Sequence, residues 1–209
     1  MKADIFFTEA DKKRIAETVR KVETSTSGEV AVMVVDASDA YPEGQMLAGA
    51  TVGGLVALGL TDLYFADSLW TFLLLFLGLS LTFGWLTEFL PEIKRFFTPK
   101  GRIEIQVQDK ALRAFYEEGL YQTRDATGVL FFISLFEHRV WILADKGIYE
   151  KIAPEELQAY ADDIARGVKT GTATDALCRE MEKIGAILTE HFPIKPDDIN
   201  ELDNEVIVG

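Results

Sequence analysis

Residues 68–87 read SLWTFLLLFLGLSLTFGWLT, twenty consecutive positions without a charged side chain. The chain as a whole has 209 residues and a formal net charge of −13, so this segment differs sharply from its surroundings. A helix of about 20 residues, with a rise of about 1.5 Å per residue, spans the roughly 30 Å hydrocarbon core of a bilayer. Trp70 and Trp85 lie near its two ends, as in the aromatic belts of membrane interfaces. The segment therefore predicts a transmembrane helix.

A second uncharged run lies immediately upstream, at residues 45–61 (QMLAGATVGGLVALGLT). It contains Gly49 and Gly53 in a G-x-x-x-G motif, which lets a neighbouring helix approach closely. The two runs predict a transmembrane hairpin over residues 44–90, with spans at about 45–61 and 68–87. The glycine motif could pack inside the hairpin or between two chains, which would make a homo-oligomer. The alternative is that one or both runs form the core of a soluble domain.

The charges that flank the predicted hairpin are asymmetric. Basic residues follow the second span within EIKRFFTPKGR at residues 92–102, whereas the short turn carries only Asp62 and Asp67. Since basic flanks stay on the cytoplasmic side, the rest of the chain should be cytoplasmic. We expect a multi-pass protein of the bacterial inner membrane that contacts the lipid bilayer and other membrane proteins. The single cysteine, Cys178, agrees with a reducing compartment.

The residues outside the hairpin are numerous enough for one domain with its own core. Residues 1–43 and 91–193 should be its two halves, and residues 194–209 should be an acidic, extended appendage. Periodicity predicts a helix at about 9–24, capped by Thr8, and a buried strand at Val30–Val35. Further elements are expected after the hairpin: a helix within 105–121, strands at 128–135 and 138–145, a helix from Pro154, and a helix at 174–190. The fold class is then α/β, a mixed sheet sandwiched by helices and interrupted by the membrane hairpin.

Two stretches of the chain resemble a known family. SGEVAVMVVDAS at residues 27–38 and TRDATGVLFFISLFEHRVWILADKGI at residues 123–148 are similar to the TPM domain. The resemblance implies a mixed sheet between helices and an activity labelled as a phosphatase with divalent-cation binding. The mid-chain hairpin departs from the many TPM proteins that are anchored near their C-terminus.

The motifs of standard phosphatases are absent from the sequence, so hydrolysis would depend on a metal and carboxylates. If the first two strands are parallel and the third antiparallel, Glu29, Arg124, Asp125 and Asp145 meet at one sheet edge. Glu29, Asp125 and Asp145 would then bind Ca²⁺ or Mg²⁺ through oxygen ligands. Asp125 and Arg124 would be catalytic, with Arg124 pairing to phosphate. The alternative is that these carboxylates are ordinary residues of loops and turns.

The opposite edge of the sheet carries a weaker candidate site. It holds Asp36, Ser38 and Glu137 beside His138, and DASDA resembles an integrin-type metal motif that here lacks its last serine. Nucleic acid is not an expected partner, because acidic residues outnumber basic residues by 34 to 21. The sequence thus favours a membrane-anchored adaptor, or an assembly or quality-control factor for membrane proteins. The alternative is a metal-dependent phosphatase that acts on phosphomonoesters.

Overall fold

The computed structural model describes residues 2–65, 68–195 and 200–209, and the chain forms two compact units. Unit 1 comprises Met1–Ser38 and Gln106–Gly209, and unit 2 comprises Asp39–Ile105. Asp67, which the sequence assigns to the hairpin turn, lies outside the described residues.

Unit 1 contains a mixed β-sheet. Its strands are β1 (Glu29–Val35), β2 (Gly128–Ser134), β3 (Arg139–Ala144) and β4 (Ile207–Val208), in the spatial order β3-β2-β1-β4. β1 is parallel to β2 and β4, whereas β2 and β3 are antiparallel. Every residue of β1 and β2 is buried, which explains why both strands are apolar on both faces. The predicted α/β class and mixed sheet are confirmed.

The structure has a helix close to each segment that the sequence predicts as helical, and two short helices, at 91–97 and 146–149, that the sequence does not predict. The helices are α1 (Glu9–Glu23), α2 (Pro42–Tyr64), α3 (Leu69–Leu86), α4 (Pro91–Phe97), α5 (Lys100–Glu117), α6 (Lys146–Tyr149), α7 (Pro154–Thr170) and α8 (Ala173–His191). α1 starts at a capping box in which Thr8 and Asp11 bond to each other's backbone N–H groups. α5 starts five residues before the expected segment.

One face of the sheet packs against helices to form the core of unit 1. Val30 and Val32 of β1 and Phe131 of β2 share this core with Ile15 of α1 and Leu177 of α8. All five side chains are almost completely removed from water. Such burial contributes roughly 1.5–3 kcal/mol for each large apolar side chain and holds the amino ends of β1 and β2 in place.

The C-terminal segment differs from its prediction. Instead of an appendage, it returns to the sheet, where Ile207 and Val208 pair with Met33 and Val34 of β1. The N–H of Gly209 also donates to the carbonyl of Val34 at 3.1 Å. The pairing covers part of the β1 edge. It gives partners to backbone groups that an open strand edge would leave unpaired. A two-residue strand inside an acidic segment carries too little apolar pattern to be predicted.

Candidate functional site

The strand pairing brings the predicted carboxylates to one edge of the sheet. Glu29 opens β1 opposite Gly128, the first residue of β2. β3 runs back to the same edge, where the N–H of Asp145 donates to the carbonyl of Gly128 at 2.9 Å. Arg124 and Asp125 lie in the loop that leads into β2. The predicted antiparallel hairpin of β2 and β3 is therefore confirmed, β1 and β2 are parallel as the candidate site requires, and the four residues share one edge.

Two of these carboxylates already have partners within the chain. Asp125 accepts hydrogen bonds from the ammonium group of Lys195 at 2.7 and 2.6 Å. The bond from Lys195 lowers the pKa of Asp125 below its usual range, against an opposing effect of burial. Asp145 is the N-cap of α6 and accepts from the N–H of Lys146 at 2.6 Å. A metal ion at this edge would have to compete with these contacts.

Glu29 has a neighbour that the sequence did not single out. The carboxyl group of Glu23, at the end of α1, lies beside that of Glu29. Glu23 also accepts from the N–H of Val30 at 3.1 Å and from the side-chain amide of Asn204. Burial and, to a smaller extent, the negative charge of Glu29 raise the pKa of Glu23 to about 8, although the bonds from Val30 and Asn204 lower it. The sequence contains one signal that Glu23 is unusual. It is an acidic residue at the C-terminus of a helix, where its charge opposes the helix dipole.

The C-terminal segment closes over this carboxyl pair. The N–H of Glu201 donates to Glu29 at 3.2 Å, and the N–H of Arg124 donates to the carboxylate of Glu201 at 3.3 Å. Beside the pair lies an open cavity of about 710 Å³. Its walls include residues of both charges from α1 and amides of the C-terminal segment: Lys13, Glu17, Arg20, Glu23, Asn200 and Asn204.

The residues that the structure describes contain no group of three or more His, Cys, Asp or Glu side chains arranged to hold a metal ion. The predicted Ca²⁺ or Mg²⁺ site at Glu29, Asp125 and Asp145 therefore stays a prediction. So do the catalytic roles of Arg124 and Asp125.

At the opposite edge, the predicted acidic residues organise the backbone. Asp36 accepts from the N–H of Ala3 at 2.5 Å, and Glu137 accepts from the N–H of Ser38 at 2.7 Å. Glu137 also bonds to the hydroxyl of Ser134, which in turn accepts from the Ser38 hydroxyl. His138 has a φ of 53°, because it ends the turn between β2 and β3. These contacts account for the turn without a ligand.

Unit 2 presents a different surface, made by α2 and α3. The two helices pack through small residues: Gly53 lies so close to α3 that a Cβ atom there would be 2.6 Å from the backbone N of Ser80. Gly49 is in similar contact with the backbone of Ser80 and Gly84. The G-x-x-x-G motif is thus occupied inside the hairpin, and its use in a homo-oligomer stays a prediction.

The large apolar side chains of the two helices point away from this contact. α3 has no buried residue, and none of its most apolar 18-residue window is buried. Trp70 is 78% exposed and Trp85 is 66% exposed. Of the most apolar 18-residue stretch of α2, 28% is buried inside the structure. By length and composition both helices can cross a membrane.

The basic residues that follow the hairpin form ion pairs inside unit 2. Lys94 lies 3.6 Å from Glu88, and Arg95 lies 2.6 Å from Glu92. Arg102 contacts Asp39 at 2.9 Å and Glu43 at 3.1 Å. Lys100 is exposed. In the sequence, these basic residues all follow α3, whereas the turn lies between α2 and α3.

No family model and no curated protein matches the chain. Among solved structures, the NMR structure of the BA42 protein from the psychrophilic bacterium Bizionia argentinensis is similar to it. The two share 22% sequence identity with a TM-score of 0.62, over 100% of this chain and 99% of BA42. At this identity the similarity supports the α/β fold alone.

Proposed function

We propose that this chain is a membrane-anchored binding module in which the α2–α3 hairpin spans a bilayer. The α/β unit would act as an adaptor, or as an assembly or quality-control factor for membrane proteins. The observation that carries the proposal is α3, an 18-residue helix without one buried side chain. Exposed apolar surface costs about 25 cal/mol per Å² in water, whereas lipid removes this cost.

The way the two helices pack supports the same proposal. A core helix of a soluble protein would be mostly buried, yet the apolar windows of α2 and α3 are 28% and 0% buried. Gly49 and Gly53 lie against the backbone of α3. All the buried positions of α2 are small residues: Gly44, Ala48, Gly49, Gly53, Ala57 and Thr61. Helices in lipid pack in this way because close backbone approach, rather than burial of large apolar groups, drives their association.

The location follows from the flanking charges. The positive-inside rule counts Lys and Arg within short loops and gives little weight to Asp and Glu, so the ion pairs of Lys94, Arg95 and Arg102 do not alter it. The sequence has no basic residue at positions 62–67 and four at 94–102. We therefore assign the chain to the bacterial inner membrane, with its α/β unit on the cytoplasmic side.

The geometry of unit 1 favours binding over catalysis. A phosphatase mechanism would need Arg124, Asp125 and Asp145 to act on one metal and one phosphate. Asp125 is instead ion-paired with Lys195, and Asp145 caps α6. The closed carboxyl pair of Glu23 and Glu29 and the cavity beside it suit the recognition of a partner or of a divalent cation better than turnover.

Membrane extraction of the full-length protein tests the anchor. Carbonate treatment at high pH should leave the protein in the membrane pellet, and detergent should release it. Leu74→Arg with Leu77→Arg, which places two charges on exposed positions of α3, should move it to the soluble or aggregated fraction. The matched control, Leu112→Arg with Tyr121→Arg, changes two exposed apolar residues of unit 1 and should remain in the pellet. Carbonate release of the wild-type protein would contradict the proposal.

A further inference from the structure

The segment that follows α3 carries an apolar face that the hairpin does not use. Leu86 ends α3, a short 3-10 helix covers Thr87–Phe89, and Pro91 begins α4. Because Pro91 disfavours a helical conformation at Leu90, α3 cannot continue, and the chain changes direction there. Leu90 has φ −127° and ψ 70°, outside the helical region.

The two faces of this segment have opposite characters. Lys94 and Thr98 are buried on one side, where Lys94 reaches Glu88 and Thr98 lies against Gly44 of α2. Phe96 is two positions beyond Lys94 and therefore lies on the opposite side of the helix. It is 82% exposed, and Ile93 beside it is exposed as well. One side of α4 thus holds it to the hairpin, and the other presents large apolar groups.

This apolar face is continuous with the end of the hairpin. The rings of Trp85 on α3 and Phe89 stand edge to face with their centroids 5.2 Å apart. Phe89 is 64% exposed, and Leu90 extends the surface towards α4. Tryptophan near the end of a membrane span marks the depth of the headgroups. A short amphipathic segment at that depth has its apolar face at the boundary between headgroups and acyl chains.

The charges around the segment suit the same environment. Lys94 and Arg95 are paired with Glu88 and Glu92, so they do not carry uncompensated charge into the interface. Lys100 is exposed just beyond α4, where it can reach anionic headgroups. A protein partner would be a competing occupant, but the ring contact with Trp85 ties this surface to the bilayer side of the hairpin.

We infer that residues 87–97 lie along the membrane interface and insert Phe89, Ile93 and Phe96 between lipid headgroups and acyl chains. This inference rests on the proposed transmembrane hairpin and adds a third element that contacts lipid. It makes the hairpin's cytoplasmic end a lipid-binding surface rather than a bare connection.

Depth-dependent fluorescence quenching tests the inference in the full-length protein. The three native tryptophans are replaced by phenylalanine (Trp70→Phe, Trp85→Phe, Trp141→Phe), and single tryptophans are introduced by Phe96→Trp, Leu77→Trp or Tyr121→Trp. Each protein is reconstituted in phosphatidylcholine and phosphatidylglycerol vesicles with bromine at a shallow or a deep acyl position. Since interfacial helices reach only about 5–10 Å below the headgroups, shallow bromine should quench the Phe96→Trp indole at least about twofold more than deep bromine.

The other two variants separate the outcomes. Deep bromine should quench the Leu77→Trp indole, which reports the hairpin itself, and neither bromine should quench the Tyr121→Trp indole in unit 1. Quenching at position 77 without quenching at position 96 would overturn the inference and leave the anchor intact. Loss of quenching at position 77 would overturn the proposed anchor. Equal quenching at positions 96 and 121 would also overturn the inference, because the contact would then be non-specific.

Discussion

The ammonium group of Lys195 lies 2.7 and 2.6 Å from the two carboxylate oxygens of Asp125, so it bonds both oxygens that the sequence assigns to a metal ion. Lys195 comes from the segment after α8, and Asp125 comes from the loop before β2. The contact links two distant parts of the chain. A cation that binds Asp125 would therefore have to displace the ammonium group of Lys195.

A first prediction concerns that competition. If Ca²⁺ or Mg²⁺ binds at Glu29, Asp125 and Asp145, Lys195→Met should tighten ion binding measurably, by up to about fivefold, since a partly exposed pair contributes about 1 kcal/mol or less. Asp125→Asn should abolish the binding. Ion titration followed by calorimetry measures both effects, with Lys169→Met on α7 as the control for loss of an exposed positive charge. Unchanged ion affinity in Lys195→Met would show that the cation does not use Asp125.

A second prediction concerns catalysis. We expect Mg²⁺ not to accelerate hydrolysis of a generic phosphomonoester by the purified full-length protein in detergent, because Asp125 and Asp145 are engaged in structural contacts. The double variant Asp125→Ala with Asp145→Ala should give the same rate as the wild-type protein. Metal-dependent turnover that the double variant loses would instead favour the phosphatase alternative.

A third prediction follows from the raised pKa of Glu23, about 8 in the folded protein. Between the pKa of about 4.5 that an unfolded glutamate has and pH 8, the unfolded chain releases a proton that the folded protein keeps. The stability of unit 1 should therefore fall as the pH rises through this window, by up to a few kcal/mol. Glu23→Gln removes the ionisation and keeps an acceptor for Val30, so its melting temperature should fall less between pH 6 and 9.

Thermal unfolding followed by circular dichroism measures this pH dependence. Glu17→Gln, on the same helix and the same cavity but exposed, should behave like the wild-type protein. Parallel curves for Glu23→Gln and the wild-type protein would contradict the assignment of the titration to Glu23.

A fourth prediction uses two glycines of α2. Gly53→Leu places a side chain against the backbone of Ser80 and should destabilise the hairpin by about 1–3 kcal/mol, as overpacking typically does. Gly59 is the matched control, because a Cβ atom there meets nothing within 4 Å. Unfolding in detergent by increasing sodium dodecyl sulfate compares the two variants. Equal stability of Gly53→Leu and Gly59→Leu would mean that α2 and α3 do not pack through Gly53.

A fifth prediction concerns topology. In a Cys178→Ala background, a membrane-impermeant maleimide should label Phe65→Cys in intact bacterial cells. Glu117→Cys, exposed on α5, should be labelled only after the cells are permeabilised. The opposite pattern would reverse the orientation that the basic residues at 94–102 predict.

The elements that the sequence predicts well are those with a clear period. α1 and α8 follow from apolar residues at helical spacing, and β1 and β2 follow from continuous apolar runs. The antiparallel direction of β2 and β3 also follows from their short turn, whereas the parallel direction of β1 and β2, which gathers Glu29, Asp125 and Asp145, is a condition that the structure meets. Local pattern therefore predicts most of the fold and the edge on which the candidate site lies.

The contacts that define the state of that edge depend on distant parts of the chain. Glu23 has the sequence pattern of an ordinary helix end, and its raised pKa comes mainly from burial beside Glu29, which the tertiary fold produces. Lys195 and Asn204 lie in a polar segment with no periodicity, yet they contact Asp125 and Glu23. No local pattern specifies such pairs, since they depend on where the tertiary fold brings the C-terminal segment.

The order of the strands along the chain affects when the sheet can be assembled. β1 is synthesised before the hairpin, whereas β2, its partner from Glu29↔Gly128 onward, follows about 100 residues later, and β4 comes from the last residues. Pairings this distant in sequence give a high contact order and form late in folding. A ribosome therefore delivers both helices of the proposed membrane hairpin before β1 can acquire its neighbours. If the hairpin inserts during synthesis, the sheet is completed after insertion, and until then the apolar β1 strand is exposed to aggregation.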